Sequence, residues 1–206
     1  DYFQSLIAED IQDLKHRVEK GAEIHPEQVL SIMLLKAHII RPILNEKEVT
    51  HFIAITLKEW NETSGWHARA DTTANAVSVL EQYDFADKER ILAISKDLIK
   101  RWARPKRDRV VWGSNVSTAY VLYSIAESSM WDDSQLQQLA LRASAGLLLA
   151  RRGASWEPEE PPYGGKQDIT GPEYFTASIL RGVCAIETRR ELNFPLEVQA
   201  AMRQKR

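Results

Sequence analysis

Gly65-Trp66-His67-Ala68-Arg69-Ala70-Asp71-Thr72-Thr73-Ala74-Asn75-Ala76-Val77-Ser78-Val79-Leu80 is the stretch on which the fold turns, because its plan recurs twice downstream. Trp112-Gly113-Ser114-Asn115-Val116-Ser117-Thr118-Ala119-Tyr120-Val121-Leu122 overlays on it. A third copy is Trp156 followed, after an inserted loop, by Phe175-Thr176-Ala177-Ser178-Ile179-Leu180. Each is a Trp, then a helical run with a Thr-Ala step and an apolar residue three positions further on. The Thr-Ala steps lie 45 and 58 residues apart, the second interval lengthened by the loop from Gly153 to Gly171. Ala74, Val77 and Leu80, then Ala119, Leu122 and Ile125, then Ala177, Leu180 and Val183, are expected to form matching packed faces. A small residue on such a face lets a neighbouring helix come close, and the Thr hydroxyl can bond a carbonyl one turn earlier.

Outward from these copies, Pro and Gly punctuate the chain and almost all fall between segments whose apolar residues recur every three or four positions. Only Gly146 and Gly182 stand inside such segments. No alternating run is long enough for a strand, Val110-Val111-Trp112 being the nearest. The periodicity predicts helices over 2–20, 26–41, 46–61, 71–84, 87–103, 115–129, 133–152, 171–190 and from 196 onward. Asp71, Asn115 and Asp132 or Asp133 are the expected caps, with Pro172 in the first helical position, and Trp60 and Trp102 are expected to close their helices. The fold class is therefore all-α, with repeated antiparallel helical hairpins clearest over 46–190 in a single domain spanning 1–206. Connections inside the pairs 3/4, 5/6 and 7/8 are the long ones, so these loops are expected on one face, where function concentrates.

The chain has 206 residues, 44% of them hydrophobic, with 27 Lys+Arg against 29 Asp+Glu and a formal net charge of −2. Such a chain has a sizeable core and no bulk attraction for polyanions. The single cysteine excludes an internal disulfide and any multi-cysteine zinc site, and makes a cytoplasmic location the expectation. No apolar run reaches the ~18 to 20 residues of a membrane span. The chain begins without Met and stops in a helix-like stretch, so a domain cut from a longer protein is expected.

Helical hairpins with a loop Trp and a following Asp-x-Thr-Ala or x-Thr-Ala helix resemble the repeat of the α/α toroids, the superfamily of terpene and squalene cyclases and of protein prenyltransferase β subunits. The resemblance covers roughly 46–190 and implies a partial or small toroid-like barrel of about four hairpins plus one helix. Class II cyclases protonate a polyene with the middle Asp of an Asp-x-Asp-Asp-Thr-Ala motif, which places Asp71 at the acid position. The flanking positions depart from that motif, holding Arg69 and Thr72. An adjacent Arg favours an ionised carboxylate rather than an acid, so Asp71 reads first as a helix cap and only second as an acid. The Asp, Cys and His zinc ligands of the prenyltransferases have no local counterpart; Cys184 is expected as a buried packing thiol, and no metal or cofactor is expected.

Candidate ligand-binding residues are Trp66, His67 and Arg69 on the first long loop, Arg104, Arg107, Arg109 and Trp112 on the second, and Trp156 and Tyr163 on the third. Between 96 and 109 seven basic residues stand against Asp97 and Asp108; between 154 and 173 Glu157, Glu159, Glu160, Asp168 and Glu173 stand against Lys166. These runs either screen each other or leave a local anion site. The chain accordingly reads as a non-catalytic recognition module, either sensor or regulatory, whose partners are other domains of a longer chain or a separate protein. A small apolar or phosphate-bearing ligand is the next candidate, with nucleic acid behind it. The competing reading is an isoprenoid-handling enzyme with Asp71 as general acid.

Overall fold

A computed structural model describes residue 16 and residues 27–106, 109–150, 156 and 172–192. Over these the chain is 73% helix, with seven α-helices and a few short strands. The helices are α1 (Glu27–Ile40), α2 (Glu46–Lys58), α3 (Ala70–Leu80), α4 (Lys88–Trp102), α5 (Asn115–Ala126), α6 (Ser134–Leu149) and α7 (Pro172–Leu192). The segments expected as helices over 2–20 and from 196 onward lie outside the described residues, apart from His16 in a helix. So do Arg107, Tyr163 and the rest of the loop from Gly153 to Gly171 except Trp156. No helix among the described residues is long and apolar enough to cross a membrane.

Local side-chain chemistry sets the helix starts. Asn45 caps α2 through a reciprocal box, its Oδ1 accepting from the Glu48 amide while Glu48 Oε2 accepts from the Asn45 amide. Asp133 caps α6 by accepting from the amides of Gln135 and Leu136, and Pro172 opens α7 as its fixed φ suits. Two expected caps are displaced. Ser114, not Asn115, caps α5, and α3 begins after Arg69, which makes no side-chain cap bond, so that Asp71 lies inside the first turn.

Helix ends differ more from expectation, because two long connections form antiparallel ribbons. β1 (Trp60–Asn61) pairs with β2 (Gly65–Trp66), and β3 (Arg104–Lys106) pairs with β4 (Arg109–Val111). The first ribbon ends α2 at Lys58, before Trp60; Trp102 does close α4. α3 stops at Leu80, and α5 stops at Ala126 before a separate 3-10 turn over Ser129–Asp132. Strands this short carry no alternation to read: backbone pairing creates them, with Arg104 opposite Val111, Pro105 opposite Val110 and Lys106 opposite Arg109.

The chain divides into two units, Asp1–Ser95 and Lys96–Arg206, with the boundary inside α4. In the first unit α1 packs on α2 and α3, and Leu30, Leu34, Leu35, Phe52, Ile53, Val77 and Leu80 of these helices are buried. The Tyr83 hydroxyl donates to the Leu35 carbonyl (2.7 Å), and burial pushes its pKa up. The turn between α1 and α2 is held by one imidazole, His38 Nδ1 accepting from the amides of Ile43 and Leu44, each at 3.0 Å.

In the second unit the broadest helix contact is between α5 and α7. It is made by small residues: a Cβ added to Gly182 would lie 2.4 Å from the Ala119 carbonyl oxygen, so only glycine admits this approach. Arg189 Nε reaches the Ala126 carbonyl (2.5 Å) at the open end of α5. The third expected face is corrected here. Ala177 is exposed and Leu180 is 42% exposed, while Ile179, Gly182, Val183 and Ile186 are buried. Counted from the helix start, the packed positions in α3 and α5 are the fifth, eighth and eleventh, and the same positions in α7 are Thr176, Ile179 and Gly182. Aligning on Thr-Ala misplaces the third copy by one residue, a rotation of about 100° on a helix.

Candidate functional site

The recurring tryptophans share one arrangement. Trp66 Nε1 donates to the Thr56 carbonyl (2.7 Å), Trp112 Nε1 to Ile99 (2.8 Å) and Trp156 Nε1 to Leu147 (2.8 Å). Each acceptor is in the last turn of the preceding helix, where carbonyls have no partner within the helix. The loop Trp therefore closes the helix it follows. All three are at most 2% exposed, as expected of a large ring that also finds a partner for its N–H.

The Thr of the Thr-Ala step secures the tryptophan's backbone amide. Thr73 Oγ1 accepts from the Trp66 amide (3.1 Å) and Thr118 Oγ1 from the Trp112 amide (2.9 Å), while the Thr118 hydroxyl donates to the Ser114 carbonyl (2.7 Å). Trp and Thr thus form a clasp across each ribbon-to-helix junction. The third copy keeps the indole bond, but Thr176 Oγ1 is buried without a partner, consistent with its displacement by one helical position. The spacing of Trp and Thr is readable in the sequence; that their polar atoms join, and that the rings therefore turn inward, is not.

The backbone is left-handed at Gly65 (φ 57°), where β2 begins, and again between the ribbon and α3 at His67 (φ 54°) and Ala68 (φ 52°). A residue with a Cβ is strained there. His67 Nε2 is buried with no hydrogen-bond partner. Arg69 forks onto Asp71, Nε to Oδ1 at 3.0 Å and Nη2 to Oδ2 at 2.6 Å, and Oδ1 also accepts from the Thr72 amide. Both oxygens of the largely buried carboxylate are engaged by its own neighbours. Of the first-loop candidates the structure joins Arg69 and Asp71, Asp71 as Arg69's acceptor, while the Trp66 indole is bonded to Thr56 instead.

The second ribbon is built differently on its two strands. Val110 and Val111 of β4 are buried and the strand lies on α6, whereas Arg104, Pro105 and Lys106 of β3 are all exposed. Arg109 stands opposite Lys106. Just before it, Lys100 binds Asp133 (2.6 Å) and Asp97 (3.1 Å). The bond to Asp133, opposed by burial and reinforced by Asp97, raises the Lys100 pKa. Burial works to raise Asp133, but the Lys100 bond and the Leu136 and Gln135 amides outweigh it and hold Asp133 below the ordinary aspartate value. Arg101, Arg104 and Lys106 have no ion-pair partner among the described residues.

Cys184, expected as a buried thiol, is exposed on α7. Among the described residues no group of three or more His, Cys, Asp or Glu side chains is placed to hold a metal ion. Comparisons of the chain with family models, with curated proteins and with solved structures gave no match.

Proposed function

We propose that this chain is a non-catalytic recognition module in which helical hairpins, arranged in the manner of the α/α toroids they resemble, serve as a rigid frame for their connecting loops. The observation that carries this reading is the clasp: the indoles that would have to wall a substrate cleft are spent closing helix ends, and polar ribbon residues are left outside. The fork of Arg69 on Asp71 supports it further, because both carboxylate oxygens are engaged as acceptors by the chain's own groups rather than presented to a polyene. The partners are another domain of a longer chain or a separate macromolecule meeting the loop residues. The exposed, unpaired Cys184 supports a reducing, cytoplasmic setting.

Incubation with farnesyl and geranylgeranyl diphosphate and with squalene, followed by product analysis, tests the reading. It expects no turnover from the wild-type protein or from Asp71→Asn. Cyclised or transferred product that disappears in Asp71→Asn would overturn it and establish the isoprenoid enzyme instead.

A further inference from the structure

The β3–β4 ribbon concentrates positive charge in a way that folding alone does not favour. Lys106 faces Arg109 across the ladder, and like charges directly opposite destabilise an antiparallel pair. Arg104 lies two residues before Lys106 on the same exposed strand, and Arg101 lies exposed at the end of α4. None of Arg101, Arg104 and Lys106 has a carboxylate partner among the described residues. The contrast with Lys100 is informative, since the same helix end surrounds that cation with two carboxylates. A local rule broken without compensation among the described residues points to a ligand.

The chemistry of that ligand follows from residue type and shape. Arginine predominates, and its planar fork matches phosphate oxygens in pairs. The β3 cations stand exposed on a ribbon anchored by its other strand, which suits an extended polyanion better than an enclosed small molecule. Single-stranded nucleic acid is normally held on aromatic platforms, but Trp112 beside the ribbon is buried with its N–H bonded to Ile99. A two-stranded ribbon fits the groove of a duplex and can track its phosphates. We infer that the β3–β4 ribbon, with Arg101 before it, is a sequence-independent contact for the phosphate backbone of duplex nucleic acid. This rests on the recognition reading and gives it a partner.

The test is fluorescence anisotropy of a labelled mixed-sequence DNA duplex of about 20 base pairs, with the whole chain, over a range of salt concentrations. Four cations engaged give a slope of log K against log salt of about −3 to −4, each contact contributing about −0.9. Arg104→Gln combined with Lys106→Gln should reduce its magnitude by about 2, with far-UV circular dichroism unchanged and the thermal midpoint no lower, because both side chains are exposed and Lys106→Gln removes a like-charge opposition. An absence of binding at low salt, or a slope the double variant does not alter, would overturn the inference. So would binding that appears only when Glu157, Glu159 and Glu160 are changed to Gln, since the ribbon would then be satisfied by the chain's own acidic loop. A polyglutamate peptide competing as strongly per charge as the duplex would reassign the ribbon to an acidic protein. Failure in any of these ways leaves the recognition reading standing, because only prenyl turnover removes that.

Discussion

At Ala68 a methyl group is carried on a left-handed backbone with nothing buried to justify it, the side chain being exposed. Ala68→Gly should therefore stabilise the protein by up to about 1 kcal/mol, strain relief exceeding glycine's extra entropy in the unfolded chain; a lower urea midpoint would contradict this. Thr118→Val tests the clasp from the opposite side. It preserves shape but removes the acceptor of a buried Trp112 amide, at a cost of about 1 to 3 kcal/mol. The same change at exposed Thr50, whose hydroxyl bonds only within its own helix, should cost well under that in the same denaturation series. These two threonines look alike in sequence, yet only Thr118, in the Trp-then-Thr-Ala pattern, accepts a buried loop amide. The sequence pattern does not reveal why, because hydrogen bonding between a loop amide and a helix hydroxyl depends on where the ribbon returns the chain. His38 is less legible still: a lone histidine near a helix end gives no sign that its ring accepts two backbone amides at once.

Helix positions are readable because a 3.6-residue period extends over many residues, whereas a ribbon of two or three residues per strand has no period to detect. Element contacts add a constraint of their own. Gly182 is visible as a glycine inside a helical segment, and its meaning appears only where α7 crosses Ala119 of α5. Gly182→Ala should destabilise by about 1 to 3 kcal/mol, since the new methyl meets rigid backbone rather than a side chain that can turn away. Gly146→Ala in α6 offers a comparison within the same unit. The link between α4 and α6 depends on pH in a defined sense. Asp133, with its pKa lowered in the fold, contributes stability above the unfolded aspartate value that is lost as pH falls through its depressed native value. Lys100, with its pKa raised, contributes stability below the unfolded lysine value that is lost as pH rises through the elevated one. Lys100→Met should flatten the loss of stability on acidification, measured as urea midpoint against pH; an unchanged profile would show that the pair carries no linkage.

Across the whole molecule, four of the six tryptophans, Trp66, Trp112, Trp131 and Trp156, are buried. Native fluorescence should accordingly be quenched weakly by acrylamide, with the accessible fraction due to half-buried Trp60 and Trp102; strong quenching would mean that the indoles line an open cleft. The helical class is legible in the order of residues alone, since it rests on a periodicity that extends over many residues. The candidate site is legible only as a set of residue types. Tryptophan and arginine on loops suggest a ligand equally well whether the ring points in or out, and burial separates them into a structural half and an exposed half. The clasp also frees length from stability. Trp66 and Thr73 lie seven residues apart, Trp112 and Thr118 six, yet Trp156 keeps its carbonyl bond with the next described helix starting at Pro172. A helix end closed by its own tryptophan in this way should tolerate insertion between that tryptophan and the next helix, making that interval the natural place to graft foreign loops while the framework beneath stays folded.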